Sequence, residues 1–132
     1  MKNFTQFNED LINDKRKFPY IVIVNGGNSD GPGRKEHGEP HFHFSNKSGS
    51  FSFSVLIPTV SEWNNSKELY ISESNNGYFD WTGLRREKKD LIYWLDEINK
   101  DESIYTNIQY IRYIWNKNNY FNKNVKQIKG IK

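Results

Sequence analysis

The chain has 132 residues, a formal net charge of +3 and no cysteine, which excludes disulfides, cysteine-ligated zinc and thiol chemistry. Aromatic residues make up 16% of it and alanine is absent, so we expect one domain with a core of large side chains. No stretch has membrane-spanning length, and the first ten residues lack the apolar run of a signal peptide, so we expect a cytoplasmic protein without a membrane partner.

Alternating hydrophobic residues predict strands in the first part of the chain. The run YIVIV at residues 20–24 predicts a strand that ends at the glycine-rich loop NGGNSDGPGRK. PHFHF and SFSFSVLI predict a hairpin whose phenylalanines face the core, with His41 and His43 on the opposite face, away from that core. TVSEWNNS is interpreted as a connection. KELYISES predicts a further strand, which a turn at NNG joins to YFDW.

Helical periodicity replaces alternation after Thr82, which is a predicted N-cap. The predicted buried stripe of the first helix recurs every three or four residues: Leu84, Lys88, Leu91, Leu95 and Ile98. Ser103 is predicted to cap a second helix, whose buried residues are Ile104, Ile108, Ile111 and Trp115. The tail NKNNYFNKNVKQIKGIK has a weak pattern and is expected to fray or to pair at an edge.

These elements predict an α+β domain, with a small antiparallel β-sheet followed by two C-terminal helices packed on it. We divide the single domain, residues 1–132, into an N-terminal segment 1–17, a β-rich part 18–82, a helical part 83–118 and a basic tail 119–132. Residues 103–132 contain six basic residues and no acidic one. Such an end attracts nucleic acid or an acidic partner, or is simply solvated. The abundant Asn and Lys residues are interpreted as compositional bias.

All three histidines lie within seven positions, in the stretch EHGEPHFHF at residues 36–44. Because His41 and His43 are two positions apart on a strand, their side chains are roughly 6–7 Å apart and can share a divalent transition metal such as zinc. His37 is the predicted third ligand, and Glu36 or Glu39 is the candidate fourth. The cupin and His-Glu-x-x-His patterns are both absent.

Two other interpretations of the histidines remain open. They can act as a general acid and base in a small hydrolase or nuclease, with Arg34 and Lys35 of the glycine-rich loop holding an anion or ligand. Alternatively, His41 and His43 have a structural role and form hydrogen bonds across strands. No residue is assigned as catalytic, and the sequence leaves open whether the protein is an enzyme.

The second helix carries a predicted partner-binding surface, formed by Tyr110, Arg112, Tyr113 and Lys117. Aromatic side chains interleaved with basic ones stack bases and neutralise phosphates. Tyrosine is equally common in contacts between proteins. The predicted partner is therefore an unknown protein or a nucleic acid.

Residues 18–118 resemble the domain of unknown function 4160 family, small bacterial proteins with the hallmark His-Gly-x-Pro-His-x-His. The matching residues are His37, Gly38, Pro40, His41 and His43. The segments LRREKKDLIYWLDEIN and YIRYIWN are similar to the closing helices of that family. The resemblance implies a site at the histidines but no activity, because the family has none established. Since its members often occur in mobile elements, it also implies a phage-type regulator, inhibitor or toxin–antitoxin-like role.

The favoured interpretation is a small accessory protein with a histidine-cluster ligand or metal site. The alternative is an interaction protein that binds a protein or nucleic acid through its basic aromatic helix. A hydrolase or nuclease that uses the same histidines is the second alternative.

Overall fold

The computed structural model describes residues 18–24 and 38–132, which have an α+β fold. The antiparallel sheet has the order β1-β2-β3-β4, with β1 at Tyr20–Ile23, β2 at His41–Asn46, β3 at Ser52–Leu56 and β4 at Ile71–Ser74. A short helix, α1 (Val60–Asn65), separates β3 from β4, and α2 (Arg85–Leu95) and α3 (Asn107–Asn118) follow. The prediction of an antiparallel sheet followed by C-terminal helices is confirmed.

The phenylalanines of the β2–β3 hairpin share one face of the sheet, as their alternation predicts. The register places Phe44 opposite Phe53. Helix α2 packs against this face through Phe18, whose ring centroid is 4.5 Å from that of Trp94 and 6.4 Å from that of Phe44. Aromatic and aliphatic side chains together form the core, whose most buried members include Val22, Phe42, Phe44, Phe53, Val55, Leu91, Leu95, Ile111 and Trp115.

The segment TVSEWNNS forms helix α1, so its interpretation as a connection is wrong. Thr59 accepts a hydrogen bond from the backbone N–H of Glu62, and the Glu62 carboxylate accepts one from the backbone N–H of Thr59. This reciprocal capping box satisfies two amides at the helix start. Trp63 is buried and donates from its indole N–H to Asp96 Oδ1 at 2.8 Å, which ties α1 to the end of α2.

The YFDW segment, which follows the predicted turn at NNG, does not form a strand. β4 ends at Ser74, and residues 78–81 have no strand conformation. The hydroxyl of Ser74 accepts the backbone N–H groups of Asn76 and Tyr78, which closes a turn instead of starting a ladder. Phe79 is exposed, whereas Trp81 is buried and donates its indole N–H to the Leu69 carbonyl.

Both C-terminal helices begin later than predicted. Helix α2 starts at Arg85 with Leu84 at its N-cap, and Thr82 instead donates its backbone N–H to Asp80 Oδ1. Helix α3 starts at Asn107, where Thr106 and Gln109 form a capping box, so Ser103 is not the cap. The predicted buried residues Ile98 and Ile104 are therefore in the connection and are exposed. Among the described helices, none is long and apolar enough for a membrane crossing.

A buried amide network shapes the connection between α2 and α3. Asn99 donates from Nδ2 to Asn107 Oδ1, and its own Oδ1 accepts the backbone N–H groups of Asp101 and Glu102. Asn107 donates in turn to the Trp94 carbonyl at 2.8 Å. Since neither side chain of the pair is exposed, each amide must find its partners within the protein.

The end of the chain is paired and does not fray. We call residues 122–131 the C-terminal segment. Its Val125 forms a parallel bridge with Gly38, just before β2. Asn116 of α3 holds Ile128 through two hydrogen bonds, one to its carbonyl at 2.8 Å and one from its N–H at 2.7 Å. The segment therefore connects the last helix with the start of the histidine strand.

Tyr20 makes the stability of the fold sensitive to alkaline pH. Its hydroxyl donates to Asp90 Oδ2 of α2 at 2.8 Å. Burial, and then the hydrogen bond and charge of Asp90, raise the pKa of Tyr20 well above its ordinary value of 10.0. The neutral phenol is thus favoured in the folded chain. Its contribution to the free energy of unfolding is present below about pH 10 and is lost as the pH rises further.

We expect Tyr20→Phe to be less stable than the wild type at neutral pH. Above pH 10, the free energy of unfolding of the wild type should fall more steeply than that of Tyr20→Phe, by up to about 1.4 kcal/mol per pH unit, because only the wild type has this phenol. Urea unfolding between about pH 9 and pH 11 measures the difference. Tyr93→Phe, at an exposed position of α2, is the matched control and should keep the wild-type slope. Equal slopes for Tyr20→Phe and the wild type would contradict the assignment.

Candidate histidine site

The β2 strand places His41 and His43 on one face of the sheet, as predicted. The register pairs His43 with Ser54 and Phe42 with Val55, so histidines and phenylalanines alternate between faces. The two imidazole centroids are 5.3 Å apart, and the ring planes are nearly perpendicular, at 83°. Both rings are therefore close enough to act on a single ion or ligand.

The expectation that these histidines lie away from the core is wrong for His41. Its side chain is only 8% exposed, because Trp115 of α3 packs against it with 5.1 Å between ring centroids. Ser54, opposite His43, is also buried. One face of the His41 ring is thus shielded from water by an indole.

Hydrogen bonds orient both rings through their Nδ1 atoms. His41 Nδ1 lies 2.8 Å from the Glu39 carbonyl oxygen, and because a carbonyl only accepts, the ring must donate. The lone pair of the neutral His41 ring is therefore on Nε2. In metal-binding histidines whose Nδ1–H donates to a carbonyl, Nε2 is the nitrogen that binds the metal. His43 Nδ1 is 3.2 Å from Ser54 Oγ, across the β2–β3 ladder. A hydroxyl can donate or accept, so this contact orients the ring but leaves its tautomer open.

The Glu39 carboxylate contacts the C-terminal segment. Its Oε1 is 2.7 Å from Lys126 Nζ, while the Lys126 backbone N–H donates to the Gly38 carbonyl at 3.3 Å. The Gly38 N–H donates in turn to the Asn124 carbonyl. The Glu39 carboxylate therefore has a partner other than a metal. The backbone carbonyl of Glu39 is the group that orients His41.

Four predicted site residues lie outside the described part of the chain: Arg34, Lys35, Glu36 and His37. The anion-binding loop and the third metal ligand therefore stay predictions. Within residues 18–24 and 38–132, no group of three or more His, Asp or Glu side chains is arranged to hold a metal ion.

A cleft of about 1150 Å³ opens beside this site. Glu39 and Pro40 lie on one side of it, and Ile57 and Ile128 are among its apolar lining. Its rims carry charges of both signs: Glu62, Glu68, Lys126 and Lys129. The histidine rings are not among its lining residues, so the cleft and the histidine pair are separate features.

The predicted partner-binding residues divide into two groups. Tyr110, Tyr113 and Lys117 lie on the side of α3 opposite its buried residues, and Tyr113 and Lys117 are exposed. Arg112 is only 2% exposed, so its assignment to a partner surface is corrected. Its guanidinium instead donates to the carbonyls of Pro58, Thr59 and Ile131.

Sequence reasoning missed two residues of the described part of the chain that contact the histidine pair, Ser54 and Trp115. Ser54 was detectable, because the predicted hairpin register places it opposite His43. Trp115 was predicted to be buried, but nothing in the local sequence indicates that it packs on a residue 74 positions earlier in the chain. Comparison with family models, curated proteins and solved structures found no match. The resemblance at residues 37–43 therefore stays a prediction.

Proposed function

We propose that this protein is a small accessory protein in which His41 and His43 bind a divalent transition metal, with zinc fitting best. The observation that supports this proposal most directly is the 5.3 Å separation of the two imidazole ring centroids. With Zn–N bonds of roughly 2.0–2.1 Å and a tetrahedral angle, two imidazoles on one zinc have centroids roughly 5 Å apart. The pair therefore has the spacing that a shared ion requires.

The hydrogen bonds around the rings support the same function. Metal-binding histidines usually donate their second ring N–H to a carbonyl, carboxylate or water, which fixes the ring and its tautomer. His41 donates in this way to Glu39, and Ser54 orients His43. Trp115 adds an apolar wall, which limits the access of water on one side of His41.

The coordination shell needs ligands beyond this pair. Zinc in proteins takes four, and a site with an open position completes the set with water. The sequence assigns His37 as the third ligand, and Glu36 becomes the candidate fourth because Glu39 pairs with Lys126. In this proposal, His41 and His43 form half of the site, and their rings are oriented before the ion binds.

Zinc titration of the metal-free protein, purified without a histidine tag, tests the proposal. We expect one zinc per chain at neutral pH. His43→Gln should weaken binding by about a hundredfold or more, and Ser54→Ala by about tenfold through loss of ring orientation. Acidification should release the ion, because protons compete for the same nitrogens. Ser52→Ala, on the same face of β3, is the matched control and should bind as the wild type does.

Circular dichroism of each variant separates a lost site from a lost fold. A folded His43→Gln protein that binds zinc as tightly as the wild type would contradict the proposal, as would a wild type that takes up no metal. In either case the pair has the structural role, and His43→Gln should change only the free energy of unfolding. Weak binding by His37→Ala would support the third ligand independently.

A further inference from the structure

Three tyrosines form an aromatic patch at the start of α3. We define the tyrosine patch as Tyr105, Tyr110 and Tyr113. Its ring centroids are 5.7 to 6.3 Å apart in every pair, and the ring planes differ by only 20° to 30°. Three nearly equal separations describe a triangle, so the rings do not form one column, and each pair is stacked with a lateral offset. The patch is thus a compact cluster of nearly parallel, offset rings.

The patch lies on the outer side of the helix. Tyr110 and Tyr113 are one turn apart, opposite the side that buries Ile108, Ile111 and Trp115. Tyr113 is 38% exposed, Tyr105 is half-buried, and Tyr110 is half-buried and packs against the hydrophobic core. Packing thus holds the rings in place, and Tyr113 gives a flat ligand the most accessible ring of the patch.

Lysines lie at both ends of the patch. Lys132 Nζ is 5.1 Å from the ring centroid of Tyr105, and Arg112 fixes the preceding carbonyl, that of Ile131, at 3.0 Å. Lys117 is exposed one helical turn beyond Tyr113. Residues 103–132 contain six basic side chains and no acidic one, which favours an anionic partner, although the exposed Asp101 and Glu102 lie just before Tyr105.

We propose that the tyrosine patch binds single-stranded nucleic acid, with bases stacked on the phenol rings and phosphates beside Lys117 and Lys132. Every base presents a flat π-face, and a cluster of offset, nearly parallel rings can be extended by a base that stacks on its accessible side. An acidic peptide would match the lysines but would gain nothing from rings that lie nearly parallel. This site is separate from the histidine pair and does not depend on the metal proposal.

Fluorescence anisotropy with a labelled oligothymidylate of about twelve nucleotides tests the site. We expect Tyr110→Leu combined with Tyr113→Leu to weaken binding by about tenfold or more, since stacking is lost while apolar volume is kept. Lys117→Gln combined with Lys132→Gln should lower the slope of log affinity against log salt by about 1.4. Tyr93→Leu is the matched control, because Tyr93 is exposed and has Lys89 5.8 Å from its ring centroid but lies outside the patch.

Competitors separate the classes of partner. Duplex DNA and polyglutamate should displace the oligothymidylate less well than unlabelled single strands do. If polyglutamate competes equally, the site takes acidic peptides and the proposal is overturned. It is also overturned if folded leucine variants keep wild-type affinity or if the wild type does not bind at low salt. His43→Gln should leave the oligonucleotide affinity unchanged.

Discussion

Arg112→Met should lower the free energy of unfolding by about 3 kcal/mol, because one buried side chain holds three backbone carbonyls. Nε donates to Pro58 at 3.1 Å, and the two terminal nitrogens donate to Ile131 at 3.0 Å and Thr59 at 3.3 Å. Burial lowers the pKa of Arg112 to about 10, so the group still carries its charge at neutral pH. These are hydrogen bonds from a cation, which are stronger than neutral ones.

Thermal or urea unfolding measures this loss, and a decrease of roughly 10 °C in the midpoint is expected for a chain of this size. Arg112→Lys should recover little, since a single ammonium lacks the planar fork that reaches three acceptors. Lys117→Met is the matched control, because it removes an exposed cation from the same helix and should change stability by less than about 0.5 kcal/mol. Equal effects at positions 112 and 117 would show that the three carbonyls do not depend on the guanidinium.

Trp115→Ala should be at least as damaging, with an expected loss of about 3–5 kcal/mol. The side chain is fully buried, packs on His41, and donates its indole N–H to the Lys126 carbonyl at 2.9 Å. Truncation therefore opens a cavity beside His41, and it also removes the hydrogen bond that holds the C-terminal segment at Lys126.

Trp115→Phe removes the hydrogen bond but keeps a large part of the packing. It should cost about 1–3 kcal/mol and accelerate amide hydrogen exchange at Lys126, Ile128 and Gly38. Trp81→Phe is the matched control: it removes another buried indole donor, but one bonded to Leu69. Its effect on exchange should be confined to its own surroundings. If both variants change the hydrogen-exchange rates of the C-terminal segment equally, Trp115 does not anchor that segment.

Local sequence patterns predicted the regular part of the fold because each pattern has one physical cause. PHFHF and SFSFSVLI alternate because one face of a strand is buried, and the structure has β2 and β3 at these runs. Helix α1 was missed because six residues are fewer than two turns and show no periodicity. The detectable signal was the spacing of Thr59 and Glu62, which is that of a capping box.

The surroundings of the candidate site depend on contacts that no local pattern encodes. A lone arginine on a helix is expected at the surface, yet Arg112 is buried and donates hydrogen bonds to backbone carbonyls, one of them 54 positions away in the chain. Asn99 and Asn107 were attributed to compositional bias, yet both are buried in one amide network. The histidines were identified from their concentration, from their spacing on a strand and from the family hallmark. The cover of His41 by Trp115 became known only from the packing.

The bridge between Gly38 and Val125 has a consequence for the order in which the chain folds during synthesis. The neighbouring ion pair joins Glu39 to Lys126, 87 positions later. A ribosome delivers residues in order, so β2 leaves it well before its C-terminal partner exists. Closing so long a loop is slow relative to forming the β2–β3 hairpin. A nascent chain therefore carries His41 without its indole cover until Trp115 has emerged, and Glu39 without its ion-pair partner until Lys126 has emerged.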